Sequence, residues 1–518
     1  MPKIERCLIS VTDKSGLVEF ARQLARFEVE IVSTGGTARL LRDAGLAVRD
    51  VSELTGFPEM LDGRVKTTHP HVLGGILAVR ANPEHRDALA RHGIAGIDMV
   101  VVNLYAFEKV AVREGVALAE LIENIDIGGP TLIRAAAKNY QDVAVVVSPT
   151  YYPSVLEEMK QTGGELSLGT RWRLAQKAFR LTAAYDRAIS ARLARIEIRD
   201  GRVIERSPAL PAVLDVRLER AMKLRYGENP HQSAALYSDL ECGIAGARQL
   251  HGRELSYNNL VDLDAAWQLV SEFDRPAAAI IKHTNPCGCA EQETLAESYR
   301  KAFEADPVSA YGGVLGFNRP LDEETAREIA KTFIEAIAAP DYSPEALAIL
   351  TARRNLRLLQ VVNPKPDQFL IKSISGGLLI QTPDLHRFDR KQVLVKTARA
   401  PTLEEWAALE FAWKVVKHVK SNAIVYAHLG QTVGVGAGQM SRVDSVKIGA
   451  MKAVLPLQGT VLASDAFFPF PDGVEEAAKH GITAIIQPGG SLRDDEVIAA
   501  ADRLGLAMIF TGIRHFRH

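Results

Sequence analysis

Lys282 and His283 are the neighbouring pair in this sequence whose side chains best suit chemistry. They end the apolar run 276–281, which reads as a buried strand, and a turn containing Pro and Gly follows at 284–288. A near-neutral base beside a cation suits proton transfer next to developing negative charge. Taken alone, the same residues are also compatible with a surface turn that contains a lysine and a histidine by chance. The rest of the chain has to decide between these two interpretations.

Alternating strand and helix patterns supply the framework for such a pair. Within residues 1–150, strands are predicted at 4–10, 30–33, 99–104 and 143–147, and helices at 16–26 and 37–44. This alternation indicates βαβ units and a mostly parallel sheet covered by helices. Ligands of such sheets bind beyond the carboxyl ends of the strands.

Two breaks divide the chain. Residues 151–195 are predicted to be helical, and the breaker-rich stretch 200–211 after them places the main domain boundary near residue 200. The remainder is again α/β and long enough for two subdomains, with a weakly marked boundary predicted at 360–375.

Composition excludes several classes of protein. The 518 residues are 47% hydrophobic and 24% charged, and the net charge of −1 gives no electrostatic footprint for nucleic acid or an anionic membrane. No apolar run approaches the roughly 18 residues of a membrane span, and the N-terminus lacks a signal-peptide pattern. Four cysteines in so long a chain argue against a disulfide framework, so we expect a cytoplasmic protein.

Two predicted loops of the first domain have the composition of phosphate-binding loops. Each joins a strand to a helix and combines hydroxyl groups with exposed backbone amides. The first contains Ser10, Thr12 and Lys14, and the second contains Ser33, Thr34, Gly35, Gly36 and Thr37. Ordinary helix N-caps are the alternative for either loop alone. Two such loops in one small sheet favour a phosphorylated ligand.

Further polar side chains of this domain are expected to surround the same ligand. They are Arg64, Lys66 and Thr67 in one donor-rich stretch, Asn103 and Tyr105 at the end of a strand, and Asp126, Gly128 and Lys138 in a turn and the helix after it. Single residues have structural alternatives: Asp126 as a helix cap, Lys138 as a solvated helix residue and Tyr105 at the edge of the core. Together they offer one ligand two lysines, a phenol and a carboxylate.

The second half contains polar loops between apolar strands, where a polar substrate would be recognised. These loops lie at 225–232, 306–313, 420–423, 438–444, 464–470, 487–491 and 514–518. The sequence contains no Walker A, His-Glu-x-x-His or Cys-x-x-Cys motif. The glycines at 434–438 superficially suggest a dinucleotide loop, but Gln439 stands where the third glycine of that fingerprint belongs.

Six motifs, taken in chain order, resemble those of one family. They are Gly-Arg-Val-Lys-Thr, Asp-Ile-Gly-Gly-Pro, Arg-Tyr-Gly-Glu-Asn-Pro-His-Gln, Lys-His-Thr-Asn-Pro-Cys-Gly, Ser-Asp-Ala-Phe-Phe-Pro-Phe and the terminal Arg-His-Phe-Arg-His. The whole chain is similar to the bifunctional purine-biosynthesis family that joins 5-aminoimidazole-4-carboxamide ribonucleotide formyltransferase to inosine monophosphate (IMP) cyclohydrolase. The resemblance implies an α/β fold, with a methylglyoxal-synthase-like doubly wound domain at 1–199. A formyltransferase domain at 200–518 would follow, with two cytidine-deaminase-like subdomains that divide near residue 365.

The resemblance also implies the reactions. A formyl group passes from 10-formyltetrahydrofolate to the 5-amino group of the ribonucleotide, and the product then closes to IMP with loss of water. No redox cofactor or catalytic metal is expected. The implied partner is a second copy of the chain, in a homodimer whose formyltransferase sites draw on both chains.

Residue roles in the formyltransferase domain follow from the same resemblance. His283 would be the base, Lys282 a source of positive charge or a proton, and Asn422 the residue that orients the formyl group. Nucleotide contacts are implied for Arg225, Tyr226, Asn259, Gln439, Arg442, Asp465 and Arg514, and a folate contact for Glu335.

In the cyclohydrolase domain, the resemblance implies that Lys66 stabilises an oxyanion. Tyr105, Asp126 and Lys138 would arrange proton transfer. The two phosphate-type loops, with Arg64 and Thr67, would hold the phosphate and the ribose.

The chain departs from the family pattern at four positions. Ala106 follows the tyrosine where the family often has Pro, Leu73 stands for a common His, and Thr68 stands for a Leu. These differences bring into question the local shape of the cyclohydrolase site rather than its chemical groups. Cys289 is also atypical, and no role follows for it from the sequence.

Two other functions fit part of the sequence, a zinc nucleoside deaminase and a non-catalytic nucleotide sensor. A zinc nucleoside deaminase needs a glutamate two residues after the histidine and a Cys-x-x-Cys pair. Here Asn285 holds the first position, and Cys287 and Cys289 are separated by one residue. A non-catalytic nucleotide sensor would retain the binding loops, but the presence of every candidate base and lysine argues against lost catalysis.

Overall fold

The computed structural model describes residues 3–61, 64–104, 107–113, 115–206, 210–239, 242–362 and 369–518. The chain divides into two compact units, Met1–Pro208 and Ala209–His518. The second boundary predicted near residue 365 lies outside the described residues. Over these same ranges, no helix combines the length and the apolar character needed to cross a membrane.

The first unit alternates strands and helices. Its strands are β1 (Arg6–Ser10), β2 (Glu30–Ser33), β3 (Arg49–Asp50), β4 (Met99–Val102), β5 (Ala144–Val146), β6 (Ile196–Arg199) and β7 (Arg202–Glu205). Its helices are α1 (Leu17–Arg26), α2 (Gly35–Asp43), α3 (Val51–Thr55), α4 (Pro70–Leu77), α5 (Pro83–Arg91), α6 (Phe107–Ala111), α7 (Leu118–Glu123), α8 (Gly128–Lys138), α9 (Tyr152–Thr162) and α10 (Leu168–Leu193).

Parallel pairing joins the first five strands into one sheet, in the order β3-β2-β1-β4-β5. Cys7 of β1 pairs with Ile31 of β2 on one side and with Met99 of β4 on the other. Every residue of β4 and of the edge strand β5 is buried, as expected for strands covered on both faces. The strand order reverses at β1, and ligands of open parallel sheets bind outside the carboxyl ends of the strands at such a reversal. The predicted doubly wound α/β fold of this unit is confirmed.

The stretch 151–195, predicted to be helical, forms the two helices α9 and α10. The first ends at Thr162 because Gly163 adopts the left-handed conformation, with a φ of 72°. The second begins at Leu168, where the Ser167 side chain caps its first turn.

The second unit contains the remaining elements. Its strands are β8 (Glu219–Lys223), β9 (Ala235–Ser238), β10 (Arg248–His251), β11 (Ala277–Lys282), β12 (Asn285–Glu291), β13 (Gly313–Phe317), β14 (Ile334–Ala339), β15 (Arg357–Gln360), β16 (Leu370–Ile374), β17 (Gly377–Gln381), β18 (Leu394–Val395), β19 (Ile424–His428), β20 (Gln431–Gly436), β21 (Val461–Ser464), β22 (Ala484–Gln487) and β23 (Ala507–Phe510). Its helices are α11 (Tyr257–Val270), α12 (Leu295–Ala305), α13 (Pro307–Ala310), α14 (Glu323–Ile329), α15 (Pro344–Thr351), α16 (Leu403–Val416), α17 (Arg442–Lys452), α18 (Asp472–Ala478) and α19 (Asp494–Arg503).

A sheet of twelve strands in this unit repeats one topology twice. Its order is β10-β15-β14-β13-β11-β12-β20-β19-β21-β22-β23-β18. In each half an antiparallel hairpin (β11–β12 or β19–β20) is followed by one strand antiparallel to its first member and then by two strands parallel to that one. A final antiparallel strand, β10 or β18, closes each half. The two α/β subdomains expected from the resemblance are therefore two structural repeats that share one sheet.

Glycine lets a helix approach the sheet closely at the same place in both repeats. A Cβ on Gly288 of β12 would lie 1.9 Å from the Ala302 carbonyl oxygen of α12. A Cβ on Gly436 of β20 would lie 1.9 Å from the Ser445 carbonyl oxygen of α17. Gly434 and Gly436 thus serve strand–helix packing, which explains the misleading resemblance to a dinucleotide loop.

We expect Gly436→Ala to lower the free energy of unfolding of the second unit by about 3 kcal/mol, because the new methyl group must displace helix backbone. Urea unfolding followed by the fluorescence of Trp267, Trp406 and Trp413 measures this unit. Gly377→Ala is the control: nothing lies within 4 Å of its added Cβ, and we expect a change within about 0.5 kcal/mol. Equal effects of the two substitutions would contradict the packing role.

Candidate active sites

One amide side chain joins the loop after β1 to the loop after β4. Asn103 Oδ1 accepts hydrogen bonds from the backbone N–H of Thr12 (2.6 Å), from the Thr12 hydroxyl (2.8 Å) and from the N–H of Asp13 (3.0 Å). Its Nδ2 donates to the Asp13 carbonyl at 3.1 Å. Asn103 therefore shapes the first predicted phosphate loop from a neighbouring strand.

The second predicted phosphate loop is the N-terminus of α2. Its N-cap, Thr34, makes no capping side-chain hydrogen bond to the described part of the chain. A Cβ added to Gly35 would lie 3.8 Å from Lys66 Nζ, and one added to Gly36 would lie 3.5 Å from Lys14 Nζ. Both ammonium groups therefore reach this helix end. Backbone N–H groups, the helix dipole and two cations together suit a phosphate group.

Ser33 and Thr37 hold this loop against the sheet. The Ser33 hydroxyl donates to the Ile9 carbonyl at 2.7 Å, and the Thr37 hydroxyl donates to the Val11 carbonyl at 3.0 Å. Both side chains are buried. Their internal partners favour a positioning role over the ligand contact that the sequence predicts.

Asp126 lies in the turn before α8 and is held from two directions. Its Oδ1 accepts the Gly129 N–H at 2.8 Å, and its own N–H donates to the Tyr185 hydroxyl at 2.8 Å. That hydroxyl donates in turn to the Asn124 carbonyl at 3.3 Å. A Cβ on Gly129 would come within 2.5 Å of Asp126 Oδ2 and 2.8 Å of Leu104 Cδ2, so a larger residue there would displace one of these side chains. Tyr185 of α10 is a neighbour of the site that the sequence analysis missed.

Lys66 and Thr67 bring a third segment to this region. A Cβ on Gly128 would lie 3.2 Å from Thr67 Oγ1, and Lys66 Nζ pairs with Glu59 at 3.0 Å. Lys138 is the last residue of α8, about 15 Å along the helix axis from the helix start, and its place in the site stays a prediction.

Arg64 and Tyr105 are two further ligand contacts predicted for this unit, and the structure describes only the first. Arg64 is exposed, and its Nε lies 3.3 Å from Glu123 Oε1. Tyr105, the predicted phenol of the set, and the atypical Ala106 lie outside the described residues.

In the second unit, the predicted strand at 276–281 is β11. Lys282 is its last residue, and His283 opens the turn to β12. Lys282 Nζ donates to the Tyr311 carbonyl at 2.8 Å, which fixes the ammonium group at the sheet edge. His283 is exposed in the single chain.

Asn285 connects this turn to the other repeat. Its Nδ2 donates to the His283 carbonyl at 3.2 Å, and its Oδ1 accepts the Lys420 N–H at 3.0 Å. Lys420 stands two residues before Asn422 in the segment that leads into β19. The predicted base and the predicted formyl-orienting amide therefore belong to one edge of the sheet.

A buried network holds Asn422. Arg442 Nη2 donates to Asn422 Oδ1 at 2.7 Å, and Asn422 Nδ2 donates to the Gln439 carbonyl at 2.9 Å. Arg442 Nη1 donates to Asp465 Oδ1 at 2.5 Å and to the Ser464 hydroxyl at 2.8 Å. Asp465 has 0% exposure and Arg442 has 7%, so the two side chains chiefly contact each other. This arrangement favours a positioning role for both over the predicted nucleotide contact.

Other predicted contacts of this unit have local partners. Asn259 Oδ1 belongs to the capping box at the start of α11, and Glu335 pairs with Arg357 at 2.9 Å. The Arg225 guanidinium lies over the Tyr226 ring, 5.1 Å from its centroid.

A buried network of charges anchors the C-terminal segment. Arg517 donates to His418 Nδ1 at 3.1 Å and to Gln268 Oε1 at 3.0 Å. His418 therefore uses its other ring nitrogen to donate to Glu272, 3.1 Å away. Burial opposes the charge on Glu272, but the bonds from His418 and Lys417 outweigh it and lower its pKa to about 2. Apart from Arg517, which belongs to the terminal motif, none of these residues was singled out from the sequence.

This anchoring extends towards the site. The Ser421 N–H donates to the Arg517 carbonyl at 3.0 Å, directly before Asn422. Arg514 lies in the same anchored segment, with its guanidinium 4.3 Å from the centroid of the Phe516 ring.

The cysteines that follow the dyad do not suit zinc binding. Burial raises the pKa of Cys287 to about 12 and raises that of Cys289 well above its usual value, so both thiols stay protonated. Within the described ranges, no group of three or more His, Cys, Asp or Glu side chains could hold a metal ion. The ligand set of a zinc deaminase is therefore not found in that part of the chain.

Comparison with known proteins identifies both units. A family model described as an MGS-like domain matches residues 16–131, and a model described as the AICARFT/IMPCHase bienzyme matches residues 136–452. Fold and site thus define a two-unit α/β enzyme that combines formyl transfer with ring closure. Because the second model covers more than half of the chain, the chain belongs to the AICARFT/IMPCHase bienzyme family. A solved structure titled "Crystal structure of ForH" is 37% identical and covers 36% of this chain and 95% of its own, with a TM-score of 0.34.

Family membership establishes the activity. The chain is a bifunctional enzyme, a formyltransferase and a cyclohydrolase, and it catalyses the last two steps of IMP biosynthesis. The family uses 10-formyltetrahydrofolate as co-substrate. The resemblance read from the six motifs is thereby confirmed.

We expect Arg442→Ala to lower the free energy of unfolding of the second unit by about 3–5 kcal/mol, because it leaves the Asp465 carboxylate buried without its partner. Urea unfolding followed by tryptophan fluorescence measures the change. Arg327→Ala is the matched control, since its pair with Glu323 is exposed and contributes about 0–1 kcal/mol. A loss at Arg442 no larger than the loss at Arg327 would contradict the assignment of a buried ion pair.

Proposed function

We propose that formyl transfer takes place at the sheet edge where Lys282, His283 and Asn422 stand. The observation that carries this proposal is the Asn285 bridge, with hydrogen bonds of 3.2 Å to the His283 carbonyl and 3.0 Å from the Lys420 N–H. Through it, both repeats contribute to one edge, and a base, a cation and an amide become available to the same substrate.

The three side chains then have distinct roles in the transfer. The acceptor amine is delocalised into the imidazole ring and hydrogen-bonded to the adjacent carboxamide, so it is a weak nucleophile. His283 takes its proton as the amine attacks the formyl carbon. The Lys282 ammonium supplies positive charge to the tetrahedral oxyanion or a proton to the departing folate nitrogen.

Asn422 orients the formyl oxygen in this scheme. Its Nδ2 makes one contact of 2.9 Å with the Gln439 carbonyl and a longer one of 3.2 Å with the Met440 carbonyl. The longer contact is the one that a formyl oxygen would replace, because it costs less to give up. Arg442 keeps the amide from rotating during this exchange.

We propose that ring closure takes place in the first unit, between the N-terminus of α2 and the Asp126 turn. The phosphate binds the N–H groups of α2 with help from Lys14. Lys66 reaches the same helix end and stabilises the oxyanion that forms when the carboxamide nitrogen attacks the formyl carbon. Asp126 arranges proton transfer, and positioning supplies much of the rate because both reacting groups belong to one molecule. The roles proposed for Tyr105 and Lys138 in proton transfer rest on the resemblance alone.

We further propose a cytoplasmic homodimer that acts without a catalytic metal. The dyad edge is open in the single chain, where His283 is exposed and Tyr311, beside Lys282, is 61% exposed. A second chain would close this edge, since formyl transfer benefits from excluded water. All four cysteines are free thiols, in keeping with a reducing compartment.

The two activities should respond to different substitutions. We expect His283→Ala or Lys282→Ala to reduce formylation by about 10²- to 10⁴-fold while closure of supplied formylated ribonucleotide continues. Lys66→Ala should do the reverse, with a loss of about 10²- to 10³-fold in closure. Formylation is measured by the release of tetrahydrofolate and closure by IMP formation from supplied formylated ribonucleotide, with the exposed Lys331→Ala as control. Loss of both activities from one substitution in a folded chain would contradict two independent sites.

The homodimer predicts a mass in solution of twice the 56.5 kDa of the chain, measured by sedimentation equilibrium. If the formyltransferase site draws on both chains, mixing inactive His283→Ala and Arg225→Ala proteins and allowing subunit exchange should restore formylation. Mixed dimers would then carry one site with both residues intact. A monomeric mass, or a dimer without complementation, would contradict the shared site.

A further inference from the structure

The turn that carries His283 has a conformation that side chains other than glycine avoid. His283 and Thr284 have φ angles of 51° and 61°, so two consecutive residues lie in the left-handed region. Such residues carry backbone strain relative to the common conformations. The turn therefore needs interactions that hold it in place.

Asp262 provides such an interaction from the helix α11. Its Oδ1 accepts the Thr284 N–H at 2.8 Å, so the carboxylate holds the backbone of the residue directly after His283. Burial raises the pKa of Asp262, and the Thr284 N–H opposes that rise because it favours the charged form.

Packing of α11 does not depend on this carboxylate. The helix is docked on the sheet by its buried apolar side chains, among them Leu263, Ala266 and Leu269. Ala266 also approaches β13 so closely that a Cβ on Gly316 would lie 2.6 Å from its carbonyl oxygen. Asp262 is half-buried and faces the turn, so its contact serves the turn more than the helix.

We propose that Asp262 is a positioning residue for formyl transfer, which holds the His283–Thr284 turn so that the imidazole faces the acceptor amine. The proposal rests on the proposed role of His283 as the base. Asn285 supports the turn from its carbonyl side, at 3.2 Å from the His283 oxygen, and Asp262 supports it from the N–H side. Without the carboxylate the turn relaxes to a common conformation, and the imidazole moves away from the amine.

The first test is Asp262→Ala in the full-length enzyme. We expect kcat for formylation to fall about 100-fold with little change in KM for the ribonucleotide, since a displaced catalytic group costs rate rather than binding. Closure of supplied formylated ribonucleotide should remain, which shows that the first unit is intact, and an unchanged urea midpoint followed by tryptophan fluorescence shows that the second unit is folded. Glu304→Ala, an exposed carboxylate on α12, is the matched control and should leave both rates unchanged. An unchanged kcat for formylation in Asp262→Ala would overturn the proposal.

Two further variants separate positioning from general stabilisation. Asp262→Asn keeps an oxygen acceptor for the Thr284 N–H and should retain most of the formylation rate that Asp262→Ala loses. The double variant Asp262→Ala, Thr284→Gly removes the strain at residue 284. Its formylation rate should be at least tenfold higher than that of Asp262→Ala alone. If neither variant formylates faster than Asp262→Ala, the carboxylate does not act through the turn.

A double-mutant cycle links the effect to the imidazole. In the His283→Ala background, Asp262→Ala should cause no further loss, because nothing remains to be positioned. A further loss of about 100-fold in that background would overturn the proposal. If His283→Ala leaves formylation intact, the role of His283 as the base is wrong, and the positioning role of Asp262 is wrong with it. If His283→Ala abolishes formylation but Asp262→Ala does not lower it, only the positioning role of Asp262 is wrong.

Discussion

The pairing of β12 with β20 is the contact on which the formyltransferase edge depends. It joins the two half-sheets through the pair Ala290 and Gln431. Next to that pair, the buried Thr432 hydroxyl accepts the Cys289 N–H at 2.8 Å and donates to the Cys289 carbonyl at 3.1 Å. The Thr432 side chain thus satisfies the N–H and the carbonyl of Cys289 in place of strand backbone. The atypical Cys289 therefore belongs to the junction between the two half-sheets. Because of this junction, the end of β11 and the segment before β19 lie at the same edge.

Around that edge, charges are buried only where they are paired. The Arg442–Asp465 pair, with exposures of 7% and 0%, is surrounded by hydroxyl and amide groups that take up the remaining donors. A pair of this kind adds little net stability, because desolvation offsets most of the attraction, but it allows few alternative arrangements. Here the Arg442–Asp465 pair holds the Asn422 side chain in a single orientation. The charges proposed to face substrate, on Lys282 and Lys66, are instead partly exposed.

The two units share a way of holding the residues proposed to react. In the first, the Tyr185 hydroxyl holds the backbone of Asp126 from a different helix. In the second, Arg442 holds Asn422 and Asp262 holds the turn after Lys282. In each case a residue with no proposed contact to substrate fixes a residue that has one. Catalysis by positioning needs this support, since a misplacement of about 1 Å is costly.

The amino-acid sequence by itself determined the local features of this protein. Strand and helix periodicity, a dyad at the end of β11, two loops suited to phosphate and the family motifs were all readable, because each depends on residues close together in the chain. Tertiary structure decided which distant residues meet: Tyr185 with Asp126 across 59 positions and Lys420 with Asn285 across 135. It also decided that Asp465 is buried. The physical reason is that strand order and sheet pairing set these contacts, whereas local patterns specify only which face of each element is apolar.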